Sequence, residues 1–90
     1  MVHFWQVQTV LKKYVRIRNL REDKDLTQKQ VADYLHVAQR TYSRYENGEH
    51  GIPTDVLVEL ALYHNTSIDY LVEITDDPNP TPKKKSKRHN

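Results

Sequence analysis

The chain contains no cysteine and only two glycines. The first absence excludes a disulfide framework, a Cys-based zinc site and thiol chemistry, and the second excludes a Gly-rich phosphate loop. Apolar runs are short as well. None approaches the roughly 20 residues that span a bilayer, and the opening Met1-Val2-His3-Phe4-Trp5-Gln6 has neither the basic start nor the apolar stretch of a secretory signal. The five histidines, His3, His36, His50, His64 and His89, include no pair four apart on one helix and no carboxylate at a metal-ligand interval. No nucleophile elbow or paired-carboxylate cleft is evident. The expectation is one domain of 90 residues that is cytoplasmic, touches no membrane, holds no metal or other cofactor and is not an enzyme.

What is present is a charge division that the formal net of +2 hides. Lys12 to Asn47 holds nine Lys and Arg against five Asp and Glu, whereas Gly48 to Thr75 holds five acids and neither Lys nor Arg. A domain polarised from about +4 to −5 is oriented by a phosphate backbone without becoming uniformly sticky.

The positive half also carries the clearest pattern. Val31, Ala32 and Leu35 form an i, i+1, i+4 stripe, and Thr27 stands where a hydroxyl cap is wanted, so Gln28 to Leu35 reads as a helix of about two turns. Ala32 is small enough for a second helix to cross close above it, as two helices joined by a three- or four-residue turn require. Val37 plugs the turn. Gln39 to Asn47 then places Tyr42 and Tyr45 on one side and Gln39, Arg40, Ser43 and Arg44 on the other, so one face packs while the other presents donors. The tyrosine hydroxyls are expected to reach water from their packed rings.

These residues, together with Ile17-Arg18-Asn19-Leu20-Arg21-Glu22-Asp23-Lys24, Tyr45-Glu46-Asn47-Gly48, Ile52-Pro53, Leu60-Ala61 and Ser67-Ile68-Asp69-Tyr70-Leu71, resemble the phage-repressor and Cro-like helix-turn-helix regulators of the XRE family. The resemblance covers residues 15–74 without a gap. It implies an all-α, five-helix, repressor-like domain in which the second and third helices form the helix-turn-helix. An N-terminal extension over residues 1–14 precedes that domain at 15–75, and a disordered Pro/Lys-rich basic tail follows over 76–90.

The resemblance further implies that Gln39 to Asn47 is the recognition helix, entering the major groove of double-stranded DNA. Gln39, Arg40, Ser43 and Arg44 are then the base-contacting residues: Gln bridges adenine N6 and N7, Arg forks onto guanine O6 and N7, and Ser pairs either way. Gln28 and Lys29 open the helix that crosses the backbone, where free N–H groups favour phosphate. Thr41 and Asn47 join them as backbone contacts. Arg21 and Glu46 lie where many members pair the first helix with the recognition helix. Members act as transcriptional regulators, most often repressors, and a homodimer on a pseudo-palindromic operator is expected because one such helix reads few base pairs. Ile68, Leu71, Val72 and Ile74 are the dimer candidates. A rival reading is a protein-interaction module, such as an antitoxin or regulator subunit whose main partner is another protein docked on the acidic half.

Three positions depart from the family pattern. Asp25 replaces the glycine usual after the first helix, His36 replaces the turn glycine, and Ala38 replaces a serine cap. The first helix is expected from about Tyr14 to Lys24 with Val15, Ile17 and Leu20 inward. The fourth is expected over Asp55 to Tyr63, and a short fifth over Ile68 to Val72 capped by Ser67. Residues 1–14 are too apolar for a plain tail: Phe4, Val7, Leu11 and Tyr14 fit a helical stripe, whereas Phe4 to Val10 fits a short strand. Their role stays open between a dimer contact, a lead-in to the first helix and a cover for the core.

Overall fold

Thr27 fixes the start of the central helix in two directions at once. Its hydroxyl accepts from Gln30 N–H at 3.1 Å, and its own N–H donates to Gln30 Oε1 at 2.8 Å, a reciprocal capping box. The computed structural model describes residues 13–82 and contains α1 (Val15–Asp23), α2 (Gln28–Leu35), α3 (Gln39–Asn47), α4 (Thr54–Tyr63) and α5 (Ile68–Leu71). Among the described residues there is no strand. The helix or strand expected within residues 1–12 and the basic run 83–90 lie outside the described residues.

Each helix is followed, at its C-cap or one residue beyond it, by a left-handed residue, and only one of those five residues is glycine. Asp25, His36, Asn65 and Glu73 have φ of 56°, 60°, 54° and 67°, and Gly48 has 77°. At the α2–α3 turn this geometry lets the Val37 N–H reach back to Ala32 O at 3.0 Å, which ends α2 and turns the chain toward α3. Ala38 opens α3 without a side-chain cap bond, as its methyl dictates, whereas Ser67 Oγ accepts from Tyr70 N–H to cap α5.

The core is built from Ile17 of α1, Val31 and Ala32 of α2, Tyr42 and Tyr45 of α3, Leu60 and Ala61 of α4, and Leu71 of α5. Leu20, Leu35, Val37, Val56 and Leu57 pack around it. Contact between helices is most extensive for α2 and α3, where Ala32 is fully buried.

Three expectations are corrected. Val15 is 42% exposed, because Tyr14 at the start of α1 supplies the packing instead. Leu71 is wholly buried in the core and offers no area to a second copy. The chain from Asp76 to Pro82, expected to be free, returns along α4 and α5. Thr66 Oγ1 donates to Pro78 O at 2.7 Å, and Arg16 donates to Thr75 O at 2.6 Å and to Asp76 Oδ1 at 2.5 Å. Arg16 also donates to Tyr70 O at 2.9 Å and lies over the Tyr70 ring at 4.2 Å. One guanidinium thereby ties α1, α5 and the returning segment together.

Candidate nucleic-acid interface

The face of α3 that meets solvent is set by what its other face must do. Tyr42, Tyr45 and Glu46 are buried, so their i, i+3, i+4 spacing turns Gln39, Arg40 and Arg44 outward. All three are exposed. Their side chains form no hydrogen bond or ion pair among the described residues, which leaves one guanidinium fork on each arginine for an external acceptor. Ser43 is half-buried beside them and receives a long contact of 3.5 Å from Asn47 Nδ2. Thr41 is half-buried on the flank of the helix.

Beneath this face lies a closed polar network. Glu46 is 2% exposed. Its Oε2 accepts from Arg21 Nε at 2.7 Å and from the Tyr42 hydroxyl, and its Oε1 accepts from Arg21 at 3.1 Å and from Gln28 Nε2 at 3.0 Å. Four donors from three helices occupy the four acceptor sites of one carboxylate. Arg21 also donates to Leu26 O at 2.9 Å, which holds the loop into α2.

The charge states follow from this geometry. Burial alone would raise the Glu46 carboxyl, but the hydrogen bonds from Arg21, Tyr42 and Gln28 outweigh it and hold the group below its ordinary value. The bond to Glu46 raises Arg21 above its own. Desolvation first, and the adjacent Glu46 carboxylate second, push the Tyr42 phenol up. Glu46 therefore stays ionised and Tyr42 stays a donor.

The expected backbone contacts divide. Gln28 spends one amide N–H on Glu46, and its oxygen and second N–H remain at the opening of α2. Lys29 is exposed and forms an i, i+4 pair with Asp33 at 3.2 Å, a solvated contact that costs little to break. Asn47 is exposed at the end of α3. The structure brings Gln28, Lys29, Gln39, Arg40, Ser43, Arg44 and Asn47 to the α2–α3 half of the molecule, whereas Ile68, Val72 and Ile74 belong to the α5 end.

Sequence reasoning misses three of these arrangements. The Tyr42 hydroxyl, expected in water, is buried on Glu46; their i, i+4 spacing is the available signal. Gln28 reads as a phosphate contact alone, and nothing local pairs it with a residue 18 positions away. Arg16 gives no signal, because its acceptors are backbone oxygens 54 and 59 positions downstream.

A helix-turn-helix family model matches residues 17–71, from within α1 to the end of α5. The chain belongs to the XRE-type helix-turn-helix family. The HTH-type transcriptional regulator YobD of Bacillus subtilis (strain 168) is 38% identical over 71 residues, which is 79% of this chain and 63% of that protein. The HTH-type transcriptional regulator ImmR of the same organism is 33% identical over 57 residues, 63% of this chain and 45% of ImmR. The cryptic phage CTXphi transcriptional repressor RstR of Vibrio cholerae is 35% identical over 57 residues, 63% of this chain and 51% of RstR. The XRE-type chain thus spans about half to two thirds of the length of these relatives. No solved structure matches it.

Proposed function

We propose that this chain binds double-stranded DNA sequence-specifically and regulates transcription as a repressor, acting by occupancy of an operator. The observation that carries the reading is the exposed face of α3: Gln39, Arg40 and Arg44 stand free over a helix anchored from beneath by Glu46. Donors held on a rigid element lose little freedom when they meet base edges, and each good bidentate pair discriminates against a wrong base by roughly 1 to 3 kcal/mol. Gln39, Arg40, Ser43 and Arg44 read bases in this proposal, and Gln28, Lys29, Thr41 and Asn47 position the domain on phosphates. The relatives named as transcriptional regulators and as a phage repressor support the regulatory role.

A homodimer on a pseudo-palindrome follows from the small footprint of one recognition helix, with half-sites about 34 Å apart. Ile68, Val72 and Ile74 are its remaining apolar candidates now that Leu71 belongs to the core. No described helix is long and apolar enough to cross a membrane, and we place the protein in the cytoplasm, where its DNA is. Selection from random and genomic DNA at physiological salt tests the reading. The wild type enriches a palindromic site, and Arg40→Ala combined with Arg44→Ala does not. Equal, weak, salt-sensitive binding by both proteins refutes it and turns attention to a protein partner.

A further inference from the structure

Beside α5 the surface opens into a groove of about 770 Å³ walled by Val58 and Leu62 of α4, Ile68 and Asp69 of α5, and Pro80 and Pro82 of the returning segment. Its size falls within the roughly 300 to 1,000 Å³ of clefts that bury an organic group. The returning segment forms one wall without filling the space, and Leu62 is left 61% exposed.

We propose that the chain's own segment Val2–Leu11 seats in this groove. Its point of departure lies close by. Arg16, in the first turn of α1, donates to Thr75 O, and the Thr75 N–H donates to Asp69 O on the groove wall. The first turn of α1 therefore lies near the Asp69 wall of the groove, and twelve residues reach up to about 40 Å when extended. Its chemistry also matches. Residues 1–12 hold Val2, Phe4, Trp5, Val7, Val10 and Leu11, contain no acid and end on Lys12, whereas the groove carries Asp69 on its wall and, among its lining residues, no lysine or arginine. An apolar segment with a positive end thus suits an apolar groove with an acidic residue on its wall. Seating leaves Val72 and Ile74, neither of which lines the groove, as the apolar residues offered to a second copy.

Trp5 is the only tryptophan, so the full chain carries its own reporter. Its emission and its quenching by acrylamide are measured across concentrations at which sedimentation defines the oligomeric state, for the wild type and for Val58→Lys combined with Leu62→Lys. Circular dichroism confirms that the variant folds, both positions being exposed already. The proposal predicts a blue-shifted, shielded Trp5 at every concentration. It further predicts that each lysine moves the seated–free balance toward free by about tenfold or more, the weight of one buried aliphatic side chain, seen as a red shift and stronger quenching. A water-exposed Trp5 in the wild type overturns the proposal. Shielding that appears only with self-association assigns the groove to a second copy and overturns it too. Shielding that survives both substitutions places Trp5 elsewhere and is equally fatal to it.

Discussion

Glu46 is worth most where it is least visible. A buried carboxylate with all four acceptor sites filled gains from its partners what desolvation takes away, and removing its charge leaves Arg21 facing a neutral group. Glu46→Gln is expected to destabilise the domain by about 3 kcal/mol in urea unfolding at pH 7, the range for breaking a buried pair. Because the folded carboxyl lies below its ordinary 4.5, this contribution is complete above that value and fades as pH falls through the lower folded one. His64 acts in the other window. It is 4% exposed, its Nδ1 lies 3.1 Å from Lys24 Nζ, and its Nε2 has no hydrogen-bond partner among the described residues. Burial, followed by the Lys24 charge, lowers it from 6.5 to about 4. The unfolded chain therefore binds a proton that the folded one refuses, and stability drains away as pH falls from about 6.5 toward 4. Wild type should be about 2 kcal/mol less stable at pH 5 than at pH 7 on these grounds, and His64→Leu should flatten that slope; an unchanged slope would assign it to other groups.

At the scale of the element, helix starts and helix ends are unequally legible. α2 and α3 have the bounds that Thr27, the Val31-Ala32-Leu35 stripe and the tyrosine spacing predict, because caps and periodicity are local information. The departures at Asp25, His36 and Ala38 are legible too: the first two adopt positive φ and the third leaves α3 without a side-chain cap. Asn65 and Glu73 are not, since no glycine marks the ends of α4 and α5. These ends can be improved. Ala38→Ser should add about 1 kcal/mol by restoring an acceptor for the first turn of α3, and His36→Gly should add about 0.5 to 1 kcal/mol by relieving a left-handed side chain, net of the freedom glycine gives the unfolded chain. Thermal or urea unfolding of the two variants checks both.

Across the whole molecule, positive charge gathers on the half that holds α1 to α3 and negative charge on the half that holds α4 and α5. The division is legible by counting, and so is the donor face of α3. What closes the molecule is not: Arg16 reaches backbone oxygens of Tyr70 and Thr75, and Thr66 holds Pro78. Contacts between a side chain and a distant backbone leave no trace in spacing or composition. In the proposed complex the two kinds of basic residue separate by readout. Lys29→Ala should weaken binding evenly across sequences and reduce the salt slope by about one, whereas Arg40→Ala should lose about 1 to 3 kcal/mol on the preferred site alone.

Methylation interference at guanine N7 on the selected operator tests the central claim most directly, since that atom is where an arginine fork in the major groove must land. Readout by α3 predicts that N7 methylation at guanines in each half-site abolishes wild-type binding, and that Arg40→Ala with Arg44→Ala binds methylated and unmethylated DNA alike. Wild-type binding indifferent to N7 methylation would contradict guanine readout by the α3 arginines.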